Sequence, residues 1–342
     1  MNPIIDLRSD TVTKPTPAML QAMFQAPVGD DVYSEDPTVN ELQAYGANLF
    51  GMEAGLFCPS GTMTNQIAIK LHTQPLSEVI CDRTSHIYVY EGGGIAFNSA
   101  ASVHLVDGVR GKITPQQVEA AINPDNIHFP VTRLVSLENT CNKGGGSYYT
   151  VPEIAAIAEV TRKHGIALHL DGARVFNALV ASGEDARAYG NHFDTISVCL
   201  SKGLGAPVGS LLLGPKPLIE QAKRVRKVLG GGWRQAGYLA AAGLYALQHH
   251  VERLREDHDH ATQLGNALQQ APYVTEVMPV ETNIVIFTLA SEVNTDHFLK
   301  YLQGKGIVAS SFGPQKIRFV THLDLSPEMV QDIINALADF AQ

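Results

Sequence analysis

Between Gly51 and Leu213, short β-rich runs alternate with longer helix-patterned segments, and that alternation narrows the fold more than any other feature of the chain. GLFCP precedes TMTNQIAIKLH, RLVSLEN precedes VPEIAAIAEVTRKHG, and IALHLDGA precedes RVFNALVASG. Strands that take turns with helices in this way form an α/β fold with a largely parallel sheet. RLVSL, IALHL and TISVCL are almost continuously apolar, as expected for strands covered by helices on both faces. Ligands in such sheets bind outside the carboxyl ends of the strands, so the residues that close these runs are the ones to read for chemistry.

From Tyr238 to about Gln270 the pattern is one long helix or two in sequence, with a His-rich stretch, HHVERLREDHDHATQ, expected on a solvated face. NIVIFTL, a helix around VNTDHFLKYLQGKG, the strand KIRFV and an amphipathic helix from Ser326 to Ala341 then read as a small α+β domain. The expected division is 1–250 for the N-terminal segment plus the large domain and 251–342 for the small one. GGGI, KGGGS and GGGW are expected to be tight turns or close backbone approaches rather than linkers. A formal charge of -9 and a pI near 5.8 leave no net basic surface for a phosphate backbone, which argues against nucleic acid as the main partner. No run approaches the roughly 18 apolar residues of a membrane span, and the start, with its charges and prolines, does not read as a leader. A cytoplasmic enzyme is expected. Cys58, Cys81, Cys141 and Cys199 are far apart and lie mostly in apolar runs, so they read as plain thiols and suggest neither disulfides nor a metal site.

Two strand ends carry the strongest chemical signal. LHLDGAR presents Asp171 and Arg174, and ISVCLSKGLGAPVG presents Ser201 and Lys202, the lysine 31 positions after the aspartate. A lysine closing a buried apolar run is costly to desolvate unless its charge is paired, neutralised or removed by covalent chemistry. Imine formation with an aldehyde cofactor removes that problem and uses the amine. A carboxylate on the neighbouring strand is what a pyridine ring nitrogen needs to stay protonated; the alternative is a buried ion pair that merely staples two strands. In CPSGTMTNQIAIK, Ser60, Gly61 and Thr62 stand between a strand and a helix, a place where backbone NH groups and the helix dipole suit a phosphate, or where the same residues simply cap the helix. His86 of RTSHIYVYEGGG lies between that turn and the aspartate strand, and reads either as a ring over the cofactor and proton carrier or as a structural histidine.

IDLRSDTVTKPT, GDDVYSEDPTVNELQ, CPSGTMTNQIAI, SHIYVYE, LENTCNKGGG, LHLDGAR, LSKGLGAPVGSLL and GGGWRQAG together resemble the threonine aldolases of the low-specificity or L-allo type, within the aspartate-aminotransferase-like fold of pyridoxal-phosphate enzymes. The resemblance runs in order from residue 5 to about 250 and implies a pyridoxal 5'-phosphate enzyme that cleaves β-hydroxy-α-amino acids to glycine and an aldehyde. It implies Lys202 as the imine lysine, Asp171 as the partner of the pyridine nitrogen, and His86 as the ring stacked over the cofactor. Ser60, Gly61 and Thr62 would serve the phosphate with Arg234, which in this family comes from another subunit, and Arg174 and Ser201 would also bind the cofactor. Ser9, Arg174 and Arg318 would hold the substrate carboxylate. Tyr33 and His128 are placed with the substrate, His128 near its hydroxyl. A homotetramer of two dimers with shared sites is implied as well.

The chain departs from this pattern at Cys141, where relatives usually carry a histidine, and in the KGGGSYYTVP that follows. Substrate preference or loop geometry is where such a change would tell. Competing readings are a β-eliminating lyase or hydroxymethyltransferase of the same fold, and a non-catalytic pyridoxal-phosphate-binding oligomer. The last has no use for Ser9, Arg174 and Arg318 together.

Overall fold

The computed structural model describes residues 4–340. The chain enters through a two-residue strand, β1 (Ile5–Asp6). Seven strands follow: β2 (Ala54–Cys58), β3 (Ser77–Asp82), β4 (Ser102–Val106), β5 (Val131–Glu138), β6 (Ala167–Gly172), β7 (Thr195–Cys199) and β8 (Ser210–Gly214). The remainder are β9 (Val274–Val277), β10 (Ile284–Leu289), β11 (Ile307–Val308), β12 (Ser310–Gly313) and β13 (Lys316–Val320). The central sheet has the order β2-β8-β7-β6-β5-β3-β4. Strands β3 to β7 run parallel to their neighbours among themselves, and β8 runs against both β2 and β7. RLVSL, IALHL and TISVCL become β5, β6 and β7, adjacent at the sheet centre and buried along nearly their whole length. Helices cover both faces, which is why no polar alternation marks these strands.

A second, antiparallel sheet, β12-β13-β10-β9, forms the smaller C-terminal unit. Its core gathers Val285, Phe287, Phe298, Phe319 and Ile333, and Ile5 and Leu7 from the chain's start join it. The start does so because β1 pairs in parallel with β11, while Val320 N–H donates to the Leu7 carbonyl at 2.9 Å. That tie carries the next residues, Ser9 and Asp10, to the edge of the central sheet.

The long pattern near Tyr238 resolves into two helices, Gly237–His249 and Leu254–Gln269. Its histidines require a correction, because only His249 is exposed. His250 is buried and sits 2.7 Å from the Leu204 carbonyl, His258 reaches Asn177 at 3.0 Å, and His260 is buried. The helix Leu254–Gln269 packs on Val175–Ser182 at one side and on the last helix at the other, so the polar-looking stretch lies between layers. That last helix spans Pro327–Ala338 with the Ser326 hydroxyl capping the Met329 N–H; Ala341 lies outside the described residues. The glycine clusters are turns and close approaches: Gly92 and Gly93 have positive φ, and a Cβ on Gly144 would meet the Arg110 carbonyl.

Candidate active site

Strands β5, β6 and β7 end side by side, with Glu138 opposite Asp171 and Asp171 opposite Ser197. Asp171 is 3% exposed and accepts on both oxygens, from Asn65 Nδ2 at 3.0 Å and from the Ala173 backbone at 3.1 Å. It is therefore not half of a staple with Lys202. The lysine lies three residues beyond β7, half-buried, its carbonyl accepting from Thr13 Oγ1 at 2.9 Å and from the Gly205 N–H at 2.8 Å. Its side chain lines a cleft of about 410 Å³ together with Ser9, Thr11, His86, Tyr90, Asn142, Arg174, Ser310, Ser311, Phe312 and Arg318. A larger cavity of about 560 Å³ near Val109 and Ile113 has its charges paired off, Lys112 with Glu153 and Arg110 with Glu281, and lacks such a set.

His86 begins the short helix His86–Val89, its backbone N–H bonded to Glu138 Oε2 at 2.7 Å. The ring nitrogen Nδ1 lies 3.0 Å from Glu91 Oε1, and one ligand atom each of His86, Glu91 and Asp171 lie within 4.8 Å of one another. Burial would depress this imidazole, but the Glu91 hydrogen bond and the Asp171 charge outweigh it and raise its pKa. Because a carboxylate can only accept, Glu91 fixes the proton on Nδ1 and leaves Nε2 as the atom that can exchange one. Glu138 is pushed up to about 7, by burial first and then by the Asp171 charge, against the backbone donors of Asn142 and His86.

Arg174, at the head of the helix Val175–Ser182, is gripped by Asp10: Nε to Oδ2 at 2.8 Å and a terminal nitrogen to Oδ1 at 2.7 Å. The sequence-based expectation of a free carboxylate fork is corrected here. Two of its nitrogens already serve Asp10, and the edge that lines the cleft is what remains. Arg318 on β13 donates to Asn142 Oδ1 at 2.7 Å and to the Arg8 carbonyl at 2.9 Å, stacks over Phe312 at 4.6 Å, and keeps a buried Nε with no partner. Burial and the nearby Arg174 pull it down to about 10. Ser9 caps the turn Asp10–Val12 and borders the same cleft.

The helix Gly61–His72 starts at the Ser60 cap, whose hydroxyl accepts from the Met63 N–H at 3.2 Å. Ser60 and Thr62 are exposed, and a buried hydroxyl without a partner, Ser210 Oγ, lies 3.6 Å from where a Cβ on Gly61 would stand. Ser201 is half-buried beside Cys199. Of the expected residues, Ser9, His86, Arg174, Lys202 and Arg318 line the cleft, while Ser60, Gly61, Thr62, Asp171 and Ser201 are not among its lining, nor are Arg234, Tyr33 and His128. Arg234 lies more than half exposed and pairs with Asp30 at 2.9 Å. Tyr33 is 70% exposed. His128 stands in an exposed loop, its backbone bonded to Asn126. Cys141 is buried with Sγ 3.1 Å from the Glu138 carbonyl, and all four cysteines are free and buried. Sequence reasoning passed over Asp10, Asn65, Glu91, Asn142 and Phe312. Asp10, Asn65, Glu91 and Asn142 all sat inside quoted motifs without being given a role, and only Phe312 lay outside them.

A family model described as beta-eliminating lyase matches residues 6–292. Sheet, cleft and match together define an α/β protein of the β-eliminating lyase class. The chain is 44% identical over 331 residues to a low specificity L-threonine aldolase of Escherichia coli strain K12, covering 96% of this chain and 97% of that protein. It is 41% identical over 345 residues to low-specificity L-threonine aldolase 1 of Arabidopsis thaliana, covering 99% and 96%. A solved threonine aldolase structure from Leishmania major overlays with a TM-score of 0.86 at 20% identity, covering 98% of each chain, a likeness of fold. Within that class, the chain belongs to the threonine aldolase family.

Proposed function

We propose that this protein is a pyridoxal-phosphate-dependent aldolase cleaving L-threonine, L-allo-threonine and related β-hydroxy-α-amino acids to glycine and an aldehyde such as acetaldehyde. The observation that carries the proposal is the meeting of Lys202, His86, Arg174 and Arg318 in one cleft, with Asp171 beside the imidazole. The residues present suit the cofactor. Lys202 is an amine not consumed by Asp171, Asp171 accepts on both oxygens, and an exposed helix N-terminus at Ser60, Gly61 and Thr62 suits a phosphate. When bound, pyridoxal phosphate supplies a ring that takes up the electron pair of the breaking Cα–Cβ bond.

The chain's own groups do the rest. Lys202 would supply the amine that holds the cofactor, and Asp171 the carboxylate that keeps its ring nitrogen protonated. Ser9, Arg174 and Arg318 would hold the substrate carboxylate and so fix which bond at Cα is presented for cleavage. His86 would lie against the cofactor, and its Nε2, left free by the Glu91 contact at Nδ1, would hold a proton from the substrate hydroxyl. His128 and Tyr33 act only if a neighbouring subunit presents them, and Arg234 reaches a phosphate only across such an interface. We therefore propose a homotetramer of two dimers with shared sites. A cytoplasmic location is proposed too, supported by four unpaired cysteines; no helix of the described residues is long and apolar enough to cross a membrane.

Supplied with pyridoxal phosphate and L-threonine, the protein is expected to release glycine and acetaldehyde in equal amounts without folate. Formation of 2-oxobutanoate and ammonia instead would establish a β-eliminating lyase. Arg318→Ala is expected to raise KM by roughly 10- to 100-fold with a smaller change in kcat, as loss of a charge-assisted hydrogen bond implies. An unchanged KM would remove Arg318 from the carboxylate clamp. His128→Phe is expected to alter the pH profile of cleavage by the oligomer, and a profile identical with the parent's would take His128 out of the reaction.

A further inference from the structure

Behind the cleft lies a chain of buried polar side chains that the reaction described above does not use. Asn65, on the inner face of the helix Gly61–His72, is 2% exposed, and His169 and Thr195, paired across β6 and β7, are fully buried. Asn65 Nδ2 lies 2.8 Å from Glu91 Oε1 and 3.0 Å from Asp171 Oδ2, while its Oδ1 lies 3.1 Å from His169 Nε2. His169 Nδ1 is 2.9 Å from Thr195 Oγ1, which is 3.0 Å from His72 Nε2.

Every direction in this chain is fixed by elimination. Two carboxylate oxygens accept only, so the amide nitrogen of Asn65 faces them and its oxygen faces His169. That oxygen cannot donate, so the proton of His169 is on Nε2. Burial pulls His169 down to about 3, leaving the ring neutral with a bare Nδ1. Thr195 must give its hydroxyl proton to that nitrogen, and its oxygen then accepts from His72 Nε2. The amide of Asn65 cannot turn over without breaking three bonds and setting its oxygen against two carboxylates. One rigid group thereby spaces Asp171 from Glu91, and Glu91 in turn holds His86.

We propose that Asn65 and His169 are positioning residues for the reaction: the one-way hydrogen-bond chain His72–Thr195–His169–Asn65 aims the Asp171 carboxylate at the cofactor ring nitrogen and holds it in register with His86. The proposal rests on the reading of Asp171 as the ring-nitrogen partner. Satisfied buried networks of this kind rigidify what they hold, and here the held groups are Asp171 directly and His86 through Glu91.

The test compares Asp171→Asn, His169→Leu, His169→Gln and Thr195→Val by three measurements: the dissociation constant of apoprotein for pyridoxal phosphate, the pH midpoint of the bound cofactor's visible band, and the melting temperature. His169→Leu is expected to weaken cofactor binding by about tenfold or more and to move the midpoint in the same direction as Asp171→Asn. His169→Gln, which can donate toward Asn65 and accept from Thr195, restores both. Thr195→Val, nearly isosteric, falls between parent and His169→Leu and carries the test if the leucine variant does not fold. The proposal is overturned if His169→Leu and Thr195→Val lower only the melting temperature while Asp171→Asn changes affinity and midpoint. An Asp171→Asn protein unchanged in both would instead overturn the reading of Asp171, and the positioning role with it.

Discussion

Lys202→Ala is expected to bind pyridoxal phosphate without developing the absorbance of a covalent lysine adduct and to lose threonine cleavage by roughly 10³-fold or more. The size follows from what the amine does. In the proposed reaction Lys202 would be the amine that holds the cofactor and gives it up to the substrate amine, and no other lysine among the described residues lines the cleft. The backbone at this position is held by Thr13 and Gly205 through its carbonyl, so truncating the side chain leaves the loop's bonds in place. A loss of activity is then assignable to the missing nitrogen rather than to a displaced loop, and circular dichroism of the variant checks it. A coloured, fully active Lys202→Ala protein would end the reading of this cleft as a pyridoxal-phosphate site.

What could be read from the residues alone was whatever a local pattern betrays. Three apolar runs closing on polar or charged residues announced β5, β6 and β7 and the sheet edge where Asp171 and Lys202 now stand, because a charge at the tip of a buried strand needs a reason. Arg318 came only through resemblance, and it reaches the cleft because β1 ties the chain's start to the second sheet. Asn65 and Glu91 left no such mark. An amide in the middle of an amphipathic helix looks like any polar position until a strand residue 106 positions away, Asp171, is seen to accept from it. The His-rich stretch misled for the opposite reason: its composition looks solvated, but the helix carrying it is wedged between two layers, and His250 finds its acceptor in the Leu204 carbonyl. Tyr33, His128 and Arg234 are surface groups of this chain, and no local pattern in the residues distinguishes a surface group that serves a site from one that does not.

Arg174→Ala is expected to destabilise the protein by about 3–5 kcal/mol at neutral pH and by much less near pH 3, because it strands a buried carboxylate. Burial alone would push Asp10 up, yet the Arg174 charge and its two hydrogen bonds, helped by Lys202 and Asn283, hold it down at about 2 in the folded chain. Its value in the unfolded chain is the ordinary 3.8. A folded pKa below the unfolded one means that the unfolded state takes up the proton first, so this stabilisation is complete above about pH 4 and disappears as the pH falls through 2. The gap corresponds to ~2 kcal/mol. Asp10→Asn should accordingly lose about that much of the acid-dependent slope between pH 4 and 2 in urea unfolding. Arg174→Ala reverses the logic: without the cation, Asp10 is left to burial, its proton is retained on folding at mild acidity, and lowering the pH relieves the variant. Combining Asp10→Asn with Arg174→Ala should recover part of the neutral-pH loss, since the stranded charge is then gone. A loss under about 1 kcal/mol that does not vary with pH would show that the pair is dispensable. In that case the fixed edge of Arg174 that borders the cleft would need another explanation than its grip by Asp10.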